Sequence, residues 1–564
     1  MSRLYLILAF ALMAASSSAI AWYPNLMQGS SGGSSSRPFA LPNGDSIHYM
    51  AAPGSCNDTY DGLAQTHTTG STGPWCSANH VVHCGDVIVA LAGTYTKGVY
   101  TFAQPTNCPS TTGGIDGAGG IHFAIVLCGG ADLEACPVNC SATCTGGGNP
   151  SSIFMNADNG AACCWSFQGF KIQGGGAGSY ADSFQVYACH EKARDIALIN
   201  DISWNSASGY GINGCGTAFG GDYFFVVMSI VYNSALSPQC LAALDAVGLS
   251  PWDTAAGTHI FFAGNFAIKN DDNVQCTDHD GPNGDIDVEG IMCDTCGGNS
   301  YTNQIVFTNN IVYQSHRMGI HIIGAGGGGP TILVFGNTGY ANNDGPSWSD
   351  AGSGGAIGDL QPDGTQTGWT TKIWSNIFQS IYTVTPSYNG HTGYGQVYAL
   401  HVSGSYSSLQ IGAGVGAGLE NVLKGARTSC TSGVTCDSGF NASYYPGTGV
   451  TLGTNIYTDP LFRNTTDLLA NQVGVPNCTG YTNVTACMGW NAALGAARNP
   501  SVIYDLTPTC SQCANRGYQP PGACVNSGTY HDDFPADLKG VVYLHWTGTA
   551  VVQNLDGVTL PCGL

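Results

Sequence analysis

Eight acidic residues crowd the 24 positions from Asp271 to Asp294: Asp271, Asp272, Asp278, Asp280, Asp285, Asp287, Glu289 and Asp294. The whole chain of 564 residues has only 36, so the stretch is strongly enriched. Within it, Asp285-x-Asp287-x-Glu289 alternates. Successive side chains of an extended strand point to opposite faces, so these three carboxylates would share one. The opposite parity holds Val288, and Ile291 is also apolar, which places the acids outside. Three anions that close repel unless a cation lies among them. A hard ion that takes roughly six to eight oxygens is the natural candidate, Ca2+. Such an ion could serve catalysis or only hold the fold, and an acidic loop can also simply be solvated.

Cations are scarce, 15 in all, and two flank the acidic stretch: Lys269 before it and Arg317 after it. Arg317 lies in Ser315-His316-Arg317-Met318-Gly319-Ile320-His321-Ile322-Ile323, where His321 shares its parity. Lys269, Arg317 and His321 are the candidate catalytic groups. A lone arginine or histidine is otherwise a surface charge or a satisfied core residue.

Something must bring these residues together, and the repeats show what. A small or amide residue followed by apolar residues recurs as Asp201-Ile202-Ser203-Trp204, Ser229-Ile230-Val231-Tyr232 and Asn265-Phe266-Ala267-Ile268. It returns as Asn310-Ile311-Val312-Tyr313, Asn337-Thr338-Gly339-Tyr340 and Asn376-Ile377-Phe378. The intervals are 28, 36, 45, 27 and 39 residues, a unit of 27 to 28 with inserted loops. Each copy follows an apolar strand, as in Ile332-Leu333-Val334-Phe335. Coils stacked into a right-handed parallel β-helix, all-β, give this signature. Antiparallel sandwiches turn every 8 to 12 residues or so and do not explain it. In such a solenoid Glu289 and Arg317, 28 apart, stack on successive coils.

The rest of the chain sets the context. Arg3, the apolar run Leu4 to Ala14 and Ala19-Ile20-Ala21 read as a signal peptide, 1–21, with release near Trp22. Residues 22–46 are Ser/Gly-rich, 47–463 form the β-helix with a Cys-rich excursion at 106–150, and 464–564 is a Cys-rich region expected to cap the open end. The even count of 24 cysteines in an exported chain argues for disulfides. Cys293-x-x-Cys296 and Cys510-x-x-Cys513 could alternatively be halves of a zinc site. A net charge of -21 excludes nucleic acid, and no later segment is long and apolar enough for a membrane helix, so a secreted monomer is expected. Asn-x-Ser/Thr sequons stand at Asn57, Asn139, Asn441, Asn464, Asn477 and Asn483.

The segments Gly264-Asn265-x-x-x-Lys269-Asn270, Asp285-x-Asp287-x-Glu289-Gly290-Ile291-x-x-Asp294, Asn309-Asn310-Ile311-Val312-Tyr313 and Arg317-x-Gly319-Ile320-His321 resemble secreted proteins of the pectate-lyase-like superfamily. The resemblance runs over about residues 47 to 400 and implies a polysaccharide lyase acting on an acidic, uronate-containing polymer such as pectate. It implies Asp285, Asp287, Glu289 and Asp294 as calcium ligands, with Arg317 or Lys269 as the base that removes the proton next to the uronate carboxylate. Where some of these lyases place a lysine a few residues after the acids, this chain has Asp294, and no lysine follows until Lys372. A glycoside hydrolase using Asp287 with Asp294, or Asp280 with Asp285, is the second reading. A non-catalytic glycan-binding surface protein is the third.

Overall fold

The computed structural model describes most of residues 36–554. Outside the described residues lie 1–35, 97–103, 109–120, 140–152, 269–287, 344–355, 383–395, 414–419, 426–448, 465–476, 518–542, 555–564 and several shorter segments. The signal peptide and most of the Ser/Gly-rich segment fall there, as do Lys269 and every acid from Asp271 to Asp287.

Three ladders of parallel strands wind around one core, a right-handed parallel β-helix. Right-handed winding is the sense in which a twisted strand feeds a parallel crossover. Middle coils contribute one strand to each ladder in turn. The first ladder runs from Ile47–Met50 through Val87–Ala90, Ala124–Cys128 and later coils to Val450–Leu452. The second is built of two- and three-residue strands, among them Ile202–Trp204, Phe266–Ile268, Ile311–Tyr313 and Ile377–Gln379. The third includes Leu244–Val247, Ile291–Asp294, Ile320–Gly324 and Gln396–Leu400. One long strand, Ala356–Trp374, belongs to the third ladder at its start and to the first at its end.

Apolar columns fill the interior. Ile196, Phe224, Ile260, Ile305 and Ile332 stack in register on successive coils, as do Leu198, Val226, Phe262, Phe307 and Val334. From the third ladder Leu244, Ile291, Ile320, Leu360 and Leu400 face them. Gly339 keeps one column open: a Cβ there would meet the Phe378 ring at 2.2 Å.

Between the first and second ladders the chain turns on the repeated residue found in the sequence. Asn265, Asn310, Asn337, Asn376, Asn421 and Asn455 form a ladder of side-chain hydrogen bonds, each Nδ2 donating to the next Oδ1 at 2.8–3.0 Å. Backbone N–H groups of four of them donate to the same oxygens. The amide side chain both donates and accepts, so a stack of them satisfies itself in the interior. Ser229 and Asp201 hold the same place on earlier coils. Asp201 is fully buried, and burial raises its pKa well above 3.8 in a place where later coils carry an uncharged amide.

One expectation changes. The stretch 106–150 is not purely an excursion, since Ala124–Cys128 and Pro137–Asn139 are coil strands of the first and second ladders. The described parts of the C-terminal region pack against the outer faces of two ladders. Tyr543, Leu544, Trp546 and Val551 cover the outer apolar face of the first ladder over Val87, Val89, Ile125 and Leu127. Cys478, Val484, Met488 and Leu506 do the same for Ile202, Ile230, Phe266 and Ile311 of the second. Residues 551–554 also pair with Ser36–Pro38 and with Leu544–Trp546. Seven disulfides join described cysteines, including Cys293–Cys296 and Cys510–Cys513, so the two Cys-x-x-Cys pairs are bridged to themselves. No helix among the described residues is long and apolar enough to cross a membrane.

Candidate active site

With the first two outer faces apolar and covered, the polar chemistry gathers on the third. Residues whose neighbours point into the core alternate with outward ones. One outward row runs across successive coils as Asp245, Met292, His321 and Gln361. Two residues further along the strands, Asp294, Ile323 and Asp363 form a second row. His401 follows the next coil's strand, its backbone N–H donating to the Leu360 carbonyl at 3.1 Å.

His321 is the centre. Its Nδ1 donates to Glu289 Oε1 at 3.0 Å and its Nε2 to Asp363 Oδ2 at 2.9 Å. Arg317 Nη1 reaches the same Glu289 oxygen at 3.4 Å. Burial by itself would lower the imidazole's pKa, but the two carboxylates outweigh it and raise it to about 10. The ring is therefore an imidazolium at neutral pH, donating from both nitrogens. Burial likewise opposes the charge on Asp363, yet His321, with Gln361 Nε2 donating at 3.0 Å, holds its pKa below the ordinary 3.8. One coil on, His401 behaves oppositely. Burial outweighs the pull of Asp363 and lowers it to about 4, so its imidazole is neutral. His401 Nδ1 is buried without a hydrogen-bond partner.

The structure thus brings Glu289, Arg317 and His321 together, and the 28-residue spacing does stack Arg317 over Glu289. Glu289 itself is not on the outside, as strand parity suggested: it is fully buried. It precedes the strand Ile291–Asp294, so the alternation of that strand does not govern it. Asp294 is half-buried on the outer face, in register with Val247 of the preceding coil. Asp285, Asp287 and Lys269 lie outside the described residues. Glu289 does not fit a calcium ligand, because a cation on its Oε1 would meet Arg317 and His321, which already neutralise it. A guanidinium beside a carboxylate keeps its proton, which also argues against Arg317 as a base.

Asp363, Gln361 and His401 were missed from the sequence. Asp359-x-Gln361-x-Asp363 shows the same alternation as the acidic stretch and could have pointed to them. Their partner His321 is 42 residues from Asp363, and the loop inserted in that coil hides the link.

No family model and no curated protein matches the chain. Among solved structures, the crystal structure of pectate lyase Pel9A is similar at 13% sequence identity, with a TM-score of 0.31, over 65% of this chain and 78% of that one. The fold described here rests on the strand pairing alone.

Proposed function

We propose that the protein is a lyase that cleaves an acidic, uronate-containing polysaccharide by β-elimination on the outer face of the third ladder. The observation that carries this reading is a pair of imidazoles on neighbouring coils in different settings, His321 hydrogen-bonded to both Glu289 and Asp363 and His401 with its Nδ1 buried without a partner.

In this scheme His401 accepts the proton next to the uronate carboxylate. An anionic substrate beside it raises its affinity for that proton. The C4–O bond breaks as the C4–C5 double bond forms, and the departing sugar oxygen takes a proton from solvent; His321, with both N–H groups given to Glu289 and Asp363, is a positioning residue that holds Asp363 beside His401. Glu289 positions both cations. No step here depends on calcium.

The test is turnover of pectate, alginate and neutral glucans by the secreted mature protein, with and without calcium and chelator. The expected result is ultraviolet absorbance of an unsaturated uronate from an acidic polymer, reduced a hundredfold or more in His401→Ala and His321→Ala. New reducing ends without that absorbance would mean hydrolysis. Binding without cleavage of any polymer would leave only a glycan-binding solenoid.

A further inference from the structure

Far from this face, the first coil gathers three residues of a different kind. Asp45, His83 and Asp86 present ligand atoms that all lie within 4.8 Å of one another. His83 Nδ1 is 3.6 Å from Asp86 Oδ2, beyond hydrogen-bond reach. That is near the edge of a tetrahedron around zinc, whose ligands, bound at roughly 2.0–2.2 Å, lie about 3.3–3.5 Å apart. His48 Nε2 stands 3.9 Å from the same oxygen, outside that group of three.

The surroundings are built to hold those atoms still. The Asp86 side chain is 2% exposed and anchored by two backbone donors, Ser46 N–H on Oδ1 and His83 N–H on Oδ2, both at 2.7 Å. Carboxylate ligands fixed in this way by outer hydrogen bonds are the rule at metal centres. The His48 ring is stacked on Trp75 at 4.4 Å, and Trp75 is stacked on His80 at 4.1 Å. Gly85 clears the approach of Asp45, since a Cβ there would meet Asp45 Oδ2 at 2.1 Å. Two carboxylates brought this close repel unless a positive charge lies between them.

We propose that Asp45, His83 and Asp86 form a site for a divalent transition cation, zinc foremost, with solvent as the fourth ligand. An imidazole with two carboxylates suits zinc, whereas calcium takes an all-oxygen shell. The ion would tie the entry to the strand Ile47–Met50 to the turn before Val87–Ala90, next to the Cys84–Cys108 bridge. It would brace the first coil among the described residues.

Calorimetric titration of the chelator-stripped mature protein with zinc chloride, and separately with calcium chloride, tests this. The expected result is one zinc per chain, a higher melting temperature with zinc, and tetrahedral absorption bands when cobalt replaces it. His83→Gln should weaken zinc binding tenfold or more. The His83 side chain is 43% exposed, so this variant should keep the metal-free melting temperature of the parent. Absence of stoichiometric zinc binding, unchanged affinity in His83→Gln, or calcium binding as tightly as zinc would overturn the proposal.

Discussion

Glu289 answers two cations from the following coil, Arg317 and His321, while sealed from solvent. Removing one partner from a buried ion network leaves the others uncompensated, at a cost of about 3–5 kcal/mol. Glu289→Gln should therefore lose stability of that order in chemical denaturation, and a loss under about 1 kcal/mol would show that the cluster is not formed. The same residues set a pH response. The His321 pKa is raised to about 10 in the fold from an ordinary 6.5, so its contribution is complete below pH 6.5 and disappears as pH climbs towards 10. Asp363 is depressed from 3.8, so its contribution holds above that value and is lost in stronger acid. Melting temperature should fall between pH 6.5 and 10 in the parent protein, with a flatter profile in His321→Asn. The acidic alternation and the 28-residue spacing to Arg317 were legible in the sequence. The burial of Glu289 was not, because strand parity says nothing about a residue just ahead of its strand.

At the level of the turn, the recurring asparagines could be read directly, since few side chains both give and take hydrogen bonds along a stack. Asn421 and Asn455 escaped notice only because their strands are short and their loops long. Asn337 donates to Asn376 Oδ1 and to the Phe307 and Phe335 carbonyls, and accepts from Asn310. Asn337→Ala should cost about 1–3 kcal/mol for each buried group it orphans, measured by urea unfolding. Asp201 makes the opposite experiment available. Its folded pKa is raised above 3.8, so it keeps a proton that the unfolded chain gives up, and stability falls as pH rises past that value. Asp201→Asn removes the penalty. It should raise the melting temperature at pH 7 and have little effect near pH 3, where both states hold the proton.

Over the whole molecule, the tail decides which face is left for chemistry. Its described parts pack on the outer apolar faces of the first and second ladders, and His321, Gln361 and Asp363 belong to the third. A solenoid was legible from the repeat intervals, but the course of the tail was not, since apolar residues such as Trp546 and Leu544 carry no sign of which surface they will meet. A chain truncated before Tyr543 should expose Val87, Val89, Ile125 and Leu127, bind a hydrophobic dye and aggregate on warming. If it remains monomeric and dye-free, the tail is not their cover.

The pairing of Ser36 with Asn554 and of Pro38 with Val552 has a kinetic consequence. Middle coils can add to one another as they are made, each needing only its neighbour. The strand at Ser36–Pro38 must wait for partners more than five hundred residues away, a contact of very long sequence separation and hence slow to form. Until residues 551–554 arrive, the youngest part of the molecule is missing from its oldest edge, and a chaperone or a protease would find its opportunity there.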